Sequence, residues 1–323
     1  MKPLVIYHAN CADGFGAAFA AWLKLGDEAE YVPFQYNETI LPTVADREIY
    51  ILDFSFSKAV MDSLFALAKR VVWLDHHKTA FEMWCGGIPT SGYWRNDGES
   101  ELSNLLSHEH YIELDNNKSG AMLAWEYFHS EAEVPMLIKH IDDYDRWQFK
   151  IEGTKEFNKA LWSYAPWSFE QWQEKFLGRF DRVADYAGHD NDHPYLQFMV
   201  EGAAILRAYE ANVQAVVKGA ARVCTLYTQT FRHEDEVDDY AYYKGLTANC
   251  PPHLASDVGH ALATQSGTYG LLWSITKENK CLCSLRSNGD YDVSAIAKAF
   301  GGGGHKNAAG FEVPISTLLD WIK

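Results

Sequence analysis

Over about the first 80 residues, short β-branched runs alternate with helical spacings of apolar side chains. Leu4-Val5-Ile6-Tyr7 reads as a buried strand, and after a loop at Cys11 to Gly14 the stretch Ala17 to Leu25 reads as a helix. Tyr31 to Tyr36 is a second strand and Glu48 to Leu52 a third. Ser57 then stands as the N-cap of a helix reaching Lys69, in which Val60, Met61, Leu64, Phe65 and Ala68 keep helical spacing. Val71-Val72-Trp73-Leu74 makes the fourth strand. Strands separated by helices require right-handed crossovers and a parallel sheet, so the pattern predicts a doubly wound α/β domain.

Helices are expected at Ser119 to Phe128 and Val134 to Tyr144, followed by a Trp-rich stretch from Phe157 to Phe180 whose apolar faces complete this first domain. Tyr195 to Val217 is helical in pattern with few turn signals and reads as a connector. From about Arg222 a smaller α/β unit follows, with strands near Val223 to Tyr227, Gly270 to Ile275 and Leu282 to Leu285, and helices near Ser256 to Ala263 and Val293 to Phe300. The expected division is a first domain over 1–194, a helical linker over 195–221 and a second domain over 222–323.

Composition narrows the partners. Among 323 residues, 28 Lys and Arg stand against 44 Asp and Glu, a net charge of −16, with 47% apolar side chains. The chain is too apolar to be disordered and long enough for two cores. Its acidic balance argues against coating long duplex nucleic acid, yet allows a small polyanion held locally by metals. The six cysteines are scattered and MKPLVIYHANC lacks the apolar core of a leader, so a reducing cytoplasm is the expected home. No apolar run approaches the roughly 20 residues of a membrane helix, so no membrane partner is expected.

The informative polar residues fall at strand ends. His8 and Asp13 follow the first strand, Asp53 ends the third, and Asp75, His76 and His77 end the fourth. In an open parallel sheet ligands bind outside the carboxyl ends of the strands, and here that edge gathers three carboxylates and three imidazoles. A lone Asp at a strand end is usually a cap or turn residue. Several at one edge instead call for a divalent pair, with Mn²⁺, Mg²⁺ or Zn²⁺ suited to mixed imidazole and carboxylate donors and phosphoester hydrolysis as the chemistry.

HANCADG at His8 to Gly14, LDFSFS at Leu52 to Ser57, DHHKT at Asp75 to Thr79, YDRW at Tyr144 to Trp147 and GGGGHKNAAG at Gly301 to Gly310 resemble, in order, the motifs of the DHH/DHHA1 phosphoesterases. The likeness is strongest to the nanoRNase-like branch, which degrades very short oligoribonucleotides. It implies a DHH metal domain, a linker and a DHHA1 substrate domain, with two divalent ions, Mn²⁺ first and Mg²⁺ second. By that resemblance His8 binds one metal, Asp13 and His76 the other, Asp53 bridges them, and Asp145 completes the second site. The choice among Asp142, Asp143 and Asp145 stays open. Asp75 would orient its neighbours and His77 would face the phosphate. Where the family usually has a further Asp, this chain has Cys11, which could be a weak thiolate ligand, a spectator or a mark of altered metal preference.

In the second domain Arg286 and Ser287 follow a strand, and Gly302, Gly303 and Gly304 lead into His305. Glycines admit backbone N–H groups to an anion, and Arg or His adds charge-assisted bonds, so this region reads as a cradle for the far nucleotide. Other features read as structural: Cys281 and Cys283 as core, the aromatics of Phe157 to Phe180 as core rather than base-stacking, and Glu234 to Asp239 as a solvated loop. Ser119-Gly120-Ala121 should start a helix close to the active-site loop. The expected activity is hydrolysis of short RNA or linear dinucleotides to nucleoside 5′-monophosphates. Pyrophosphate or polyphosphate hydrolysis and a degenerate, non-catalytic nucleic-acid binder are the competing readings, and a homodimer is left open.

Overall fold

The computed structural model describes residues 1–35, 43–96, 110–177, 194–233 and 236–322. The chain divides into two compact units, Met1–Leu206 and Arg207–Lys323.

The first unit is built on six strands: β1 Leu4–His8, β2 Glu30–Phe34, β3 Glu48–Leu52, β4 Arg70–Asp75, β5 Tyr93–Arg95 and β6 Tyr111–Asp115. Their order is β2-β1-β3-β4-β6-β5. All pairs are parallel except the edge strand β5, which runs antiparallel to β6. Such a sheet is covered on both faces, which is why its strands read as continuous apolar runs. Leu4, Ile6, Ile49, Ile51 and Trp73 feed one core with Phe81 and Ile112, while Val5, Tyr50, Leu52, Val72 and Leu74 feed the other with Phe19, Leu123 and Ile138. Ile49 and Ile51 are wholly buried, each such side chain contributing about 1.5–3 kcal/mol. The doubly wound α/β prediction thus describes the observed architecture.

The connecting helices are α1 Ala12–Leu25, α2 Lys58–Leu67, α3 Lys78–Cys85, α4 Gly120–Phe128, α5 Met136–Asp145, α6 Thr154–Ser163 and α7 Phe169–Lys175. Two expectations need correction. The stretch Cys11 to Gly14 is not a loop: α1 starts at Ala12 with Cys11 as its N-cap residue. Its glycines hid the first turn, because Gly weakens helix propensity. Ser57 does occupy the N-cap position of α2, but its side chain makes no capping bond and the helix stops at Leu67. Within the aromatic stretch Phe157, Trp172 and Phe176 are buried in the core, whereas Trp162 is exposed. Residues 178–180 of that stretch lie outside the described residues, as does Tyr36 of the second predicted strand.

A 27-residue helix, α8, fills Pro194–Ala220, and the boundary between the units falls inside it. In the second unit the elements are β7 Arg222–His233, β8 Glu236–Asn249, α9 Ala255–Ser266, β9 Tyr269–Ile275, β10 Lys280–Ser287, α10 Val293–Ala299, β11 Gly303–His305, β12 Ala308–Pro314 and α11 Ile315–Trp321. The sheet order is β11-β12-β10-β9-β8-β7, antiparallel except between β8 and β9. Cys224, Cys281, Cys283, Leu285, Ile296 and Trp321 form the core on one side, and Val258, Leu262 and Leu272 of α9 and β9 belong to the other. The acidic run is not a loop throughout: Glu236 to Asp239 belong to β8, while Glu234 and Asp235 lie outside the described residues. No helix among the described residues is long and apolar enough to cross a membrane.

Candidate metal centre

Parallel pairing of β1, β3 and β4 brings their carboxyl ends to one edge of the sheet. His8 is the last residue of β1, Asp53 follows β3, and Asp75 ends β4 just before His76 and His77. Asp53 has a positive φ of 52°, a left-handed conformation uncommon outside Gly, Asn and Asp. Its N–H is held by the carbonyl of Leu74 at 2.9 Å. The start of α4 comes so close that a Cβ on Gly120 would lie 2.4 Å from that of Asp53. Likewise a Cβ on Gly14 would lie 2.2 Å from the His8 carbonyl, which is why α1 tolerates glycine in its first turn.

Asp53, Asp75 and His77 make one donor group at this edge, and two further groups adjoin in front of it. In one, atoms of His8, Cys11 and Asp53 lie within 4.8 Å of one another, and so do atoms of Asp13, His76 and Asp145 in the other. Asp53 faces both: its Oδ2 is 3.5 Å from His8 Nδ1 and its Oδ1 is 3.1 Å from His76 Nε2. His76 Nε2 is also 3.4 Å from Asp13 Oδ2 and 3.6 Å from Asp145 Oδ2. Asp13 and Asp53 are almost wholly buried, while the Asp145 side chain retains 29% exposure and opens the cluster to solvent.

The neighbours of these groups fix them in place. Asp13 accepts hydrogen bonds from the N–H groups of Gly120 at 2.7 Å and Ala121 at 2.8 Å, so the amino end of α4 is committed to a carboxylate of the protein. Asp142 accepts from the Ser119 N–H at 2.7 Å, and Asp143 accepts from the N–H groups of Lys150 and Ile151 and from Thr154 Oγ1. Of the three aspartates left open by the sequence, only Asp145 is brought to the cluster. Asp75, fully buried, accepts from the N–H groups of His76 and His77, from Ser55 Oγ and from His77 Nδ1 at 2.6 Å. Its place is therefore behind the histidines, as a positioning group. Sequence reading missed the roles of Ser55, visible within LDFSFS, and of Asn116, whose Nδ2 donates to the His76 carbonyl at 3.1 Å.

Electrostatics favour a cation here. Burial pushes the Asp13 carboxyl well up, and the Asp53 and Asp145 charges push the same way. Burial also raises the Cys11 thiol, helped by Asp53, Asp145 and Asp13. Burial would raise Asp53 too, but hydrogen bonds from His76 and His8 outweigh it and hold Asp53 well below the usual carboxylate range. His76 is pushed well up because Asp53, Asp145 and Asp13 surround it and overcome its burial. Buried carboxylates crowded to this degree need positive charge among them, and imidazole nitrogens with carboxylate oxygens are the donor set of divalent transition-type ions. The residues present fit such ions.

The proposed cradle is placed differently from its sequence reading. Arg286 donates to its neighbour's carbonyl, Leu285 O, at 2.9 Å and to Ser256 Oγ at 3.1 Å. Its stem packs over α9, where a Cβ on Gly259 would lie 2.6 Å from Arg286 Cγ. Ser287 is fully buried, donates to the Tyr291 carbonyl at 2.6 Å and accepts from Asn307 Nδ2 at 2.9 Å, so its hydroxyl is committed to partners within the protein. The glycine run is only partly a loop. Gly303, Gly304 and His305 form β11, paired with Gly310, Ala309 and Ala308, at the edge of the sheet. A Cβ on Gly302 would lie 2.0 Å from the Gly310 carbonyl, so close strand packing is itself a reason for glycine there.

Residues 251–322 match the DHHA1 domain family. Uncharacterized protein R106 of Acanthamoeba polyphaga mimivirus is 27% identical over 327 aligned positions, covering 95% of this chain. This chain spans 66% of the length of that relative. Among solved structures, the pGpG-specific phosphodiesterase PggH of Vibrio cholerae overlays with a TM-score of 0.45 at 14% identity, covering 99% of this chain and 96% of that one.

Proposed function

We propose that the chain is one of the DHH/DHHA1 proteins and a metal-dependent phosphodiesterase, since a DHHA1 domain makes up most of the C-terminal unit and an Asp-His-His motif lines the N-terminal centre. Its proposed substrates are very short oligoribonucleotides or linear dinucleotides, cleaved to nucleoside 5′-monophosphates. The observation that carries this reading is the adjoining pair of donor groups with Asp53 facing both. We assign His8, Cys11 and Asp53 to one divalent ion and Asp13, Asp53, His76 and Asp145 to a second, for which Mn²⁺ is the first choice and Mg²⁺ the next. When bound, such ions polarise a phosphoryl oxygen and lower the pKa of water.

The protein's own groups do the rest. Asp75 holds His77 through Nδ1, which fixes the ring and assigns Nε2 to the substrate side. Burial lowers the His77 pKa, but the charge and hydrogen bond of Asp75 and the charge of Asp53 together outweigh it and raise the pKa, so the ring is set to donate a proton to a phosphoryl or leaving oxygen. Arg286, steadied by Ser256, and the edge strand β11 with His305 are assigned to the distal nucleotide. Two features weigh against the competing readings, and a third bears on the compartment. Cys11 sits with His8 and Asp53, which supports a working centre over a degenerate one. A glycine-rich sheet edge beside an Arg suits a nucleoside better than pyrophosphate. All six cysteines are free, which supports a reducing cytoplasm as the compartment. No membrane or long duplex partner is proposed, and a homodimer is left open.

The test is a substrate panel with Mn²⁺, run with and without Zn²⁺: pyrophosphate, di-, tetra- and longer ribonucleotides. The expected result is fastest release of 5′-monophosphates from the shortest nucleotides. Faster hydrolysis of pyrophosphate, or no turnover of any member, overturns the reading.

A further inference from the structure

The two donor groups are not chemically alike. One holds an imidazole, a thiol and a carboxylate, from His8, Cys11 and Asp53; the other holds one imidazole and two carboxylates, from His76, Asp13 and Asp145. Thiolate is a soft donor that selects Zn²⁺, Co²⁺ and Fe²⁺ over Mg²⁺ and Mn²⁺, whereas carboxylate oxygen suits the harder ions. Cys11 owes its position to the backbone: as the N-cap residue of α1, with φ −131° and ψ 136°, it leaves the strand edge at the point where β1 turns into the helix. Asp53 serves both groups, so the contrast between them comes from the other donors, and Cys11 is the one that differs in kind.

We propose that the centre is asymmetric, with Cys11 a true ligand that makes the His8–Cys11–Asp53 site selective for a borderline-soft ion such as Zn²⁺, Co²⁺ or Fe²⁺, while the Asp13–His76–Asp145 site takes Mn²⁺ or Mg²⁺. The proposal rests on the metal-centre part of the functional reading and not on its substrate. The enzyme then works as a mixed-metal protein, and loading with Mn²⁺ alone fills the first site poorly.

Co²⁺ reports on this directly, because a Co²⁺–thiolate bond gives a near-ultraviolet charge-transfer absorption that oxygen and nitrogen donors do not. Titrating the full-length, metal-stripped protein with Co²⁺ is expected to produce that band. Cys11→Ser should remove it, and since Ser is a good N-cap the variant keeps α1. Cys85→Ser, at the other partly exposed cysteine, should leave the band intact. In competition against a chelator, Cys11→Ser should weaken Zn²⁺ at least roughly tenfold while Mn²⁺ changes by less than about threefold. Cys11→Asp should shift the preference toward Mn²⁺. A cobalt-loaded wild-type protein without the band, or a Zn²⁺ to Mn²⁺ preference unaltered in Cys11→Ser, overturns the proposal. Because the readout is binding, an absence of phosphodiesterase turnover would count against the functional reading and leave this result standing.

Discussion

Asp53 offers one carboxylate oxygen to each of two histidines, and the tighter approach is to His76, whose Nε2 lies 3.1 Å from Asp53 Oδ1. The other oxygen lies 3.5 Å from His8 Nδ1. The left-handed backbone at Asp53 makes this double exposure possible, because it turns the chain out of β3 directly toward the sheet edge. Asparagine adopts that conformation readily, so Asp53→Asn removes the charge and keeps the geometry. Turnover should fall by roughly two to three orders of magnitude with the thermal unfolding temperature little changed. Metal binding measured calorimetrically should weaken for both ions; weakening of only one would break the link between Asp53 and both groups.

Asp75 should act through His77 and not through the metals. Asp75→Asn loses the negative charge that stabilises the protonated His77 ring and replaces one acceptor oxygen by a donor, and kcat should fall by roughly 10²- to 10⁴-fold. Mn²⁺ affinity should move far less, because Asp75 belongs behind the donor groups. A variant whose loss of rate is restored entirely by added Mn²⁺ would place Asp75 among the ligands instead.

Glycine 120 is required by contact, and its substitution separates packing from helix propensity. Gly120→Ala drives a methyl against Asp53, and should cost about 1–3 kcal/mol of stability together with metal affinity. Gly219→Ala, in α8 with no atom within 4 Å of the added carbon, should be neutral or stabilising by up to about 1 kcal/mol. Chemical denaturation of the two variants beside wild type checks both signs.

His140 provides a pH test outside the metal centre. It is buried between Thr154 Oγ1 at 2.8 Å and Tyr195 Oη at 2.9 Å, and burial lowers its pKa from 6.5 to about 4 despite nearby Asp143. The unfolded chain therefore takes up this proton first, and stability falls as pH drops from about 6.5 to about 4, by at most about 3 kcal/mol. His76 and His77, both raised, contribute with the opposite sign, favouring the folded state at low pH. The difference between wild type and His140→Gln isolates the one group: across that window the wild type should lose more stability than the variant. Parallel pH profiles for the two proteins would show that His140 titrates normally.

Much of this was legible because strand burial on both faces leaves a strong apolar signature. Glu48 to Leu52 appears as β3 with its predicted bounds, and the residues after β1, β3 and β4 mark the site edge. What the sequence concealed depended on tertiary pairing or contact. The first two turns of α1 carry Gly14 and Gly16, poor helix formers that are there because His8 and Ala121 press against them. The strand β8 begins at Glu236 and takes in Asp239, a residue of low β propensity that is drawn into a strand by pairing with Thr230 of β7. Ser287 looked like an anion ligand beside Arg286, but alternation along β10 turns it to the buried face. The helix α3 was hidden because KTAFEMWC is short and, of its residues, Ala80, Phe81 and Trp84 alone are buried.

The central claim is that the adjoining groups around Asp53 form a metal-dependent phosphodiesterase centre. Its most direct test is to strip the purified protein with a chelator, restore Mn²⁺ with and without Zn²⁺, and follow a linear diribonucleotide by chromatography in wild type and Asp53→Asn. The expected result is 5′-monophosphate from the metal-restored wild type alone, with almost none from the stripped protein or the variant. Equal product from stripped and restored protein, or from wild type and Asp53→Asn, would contradict it.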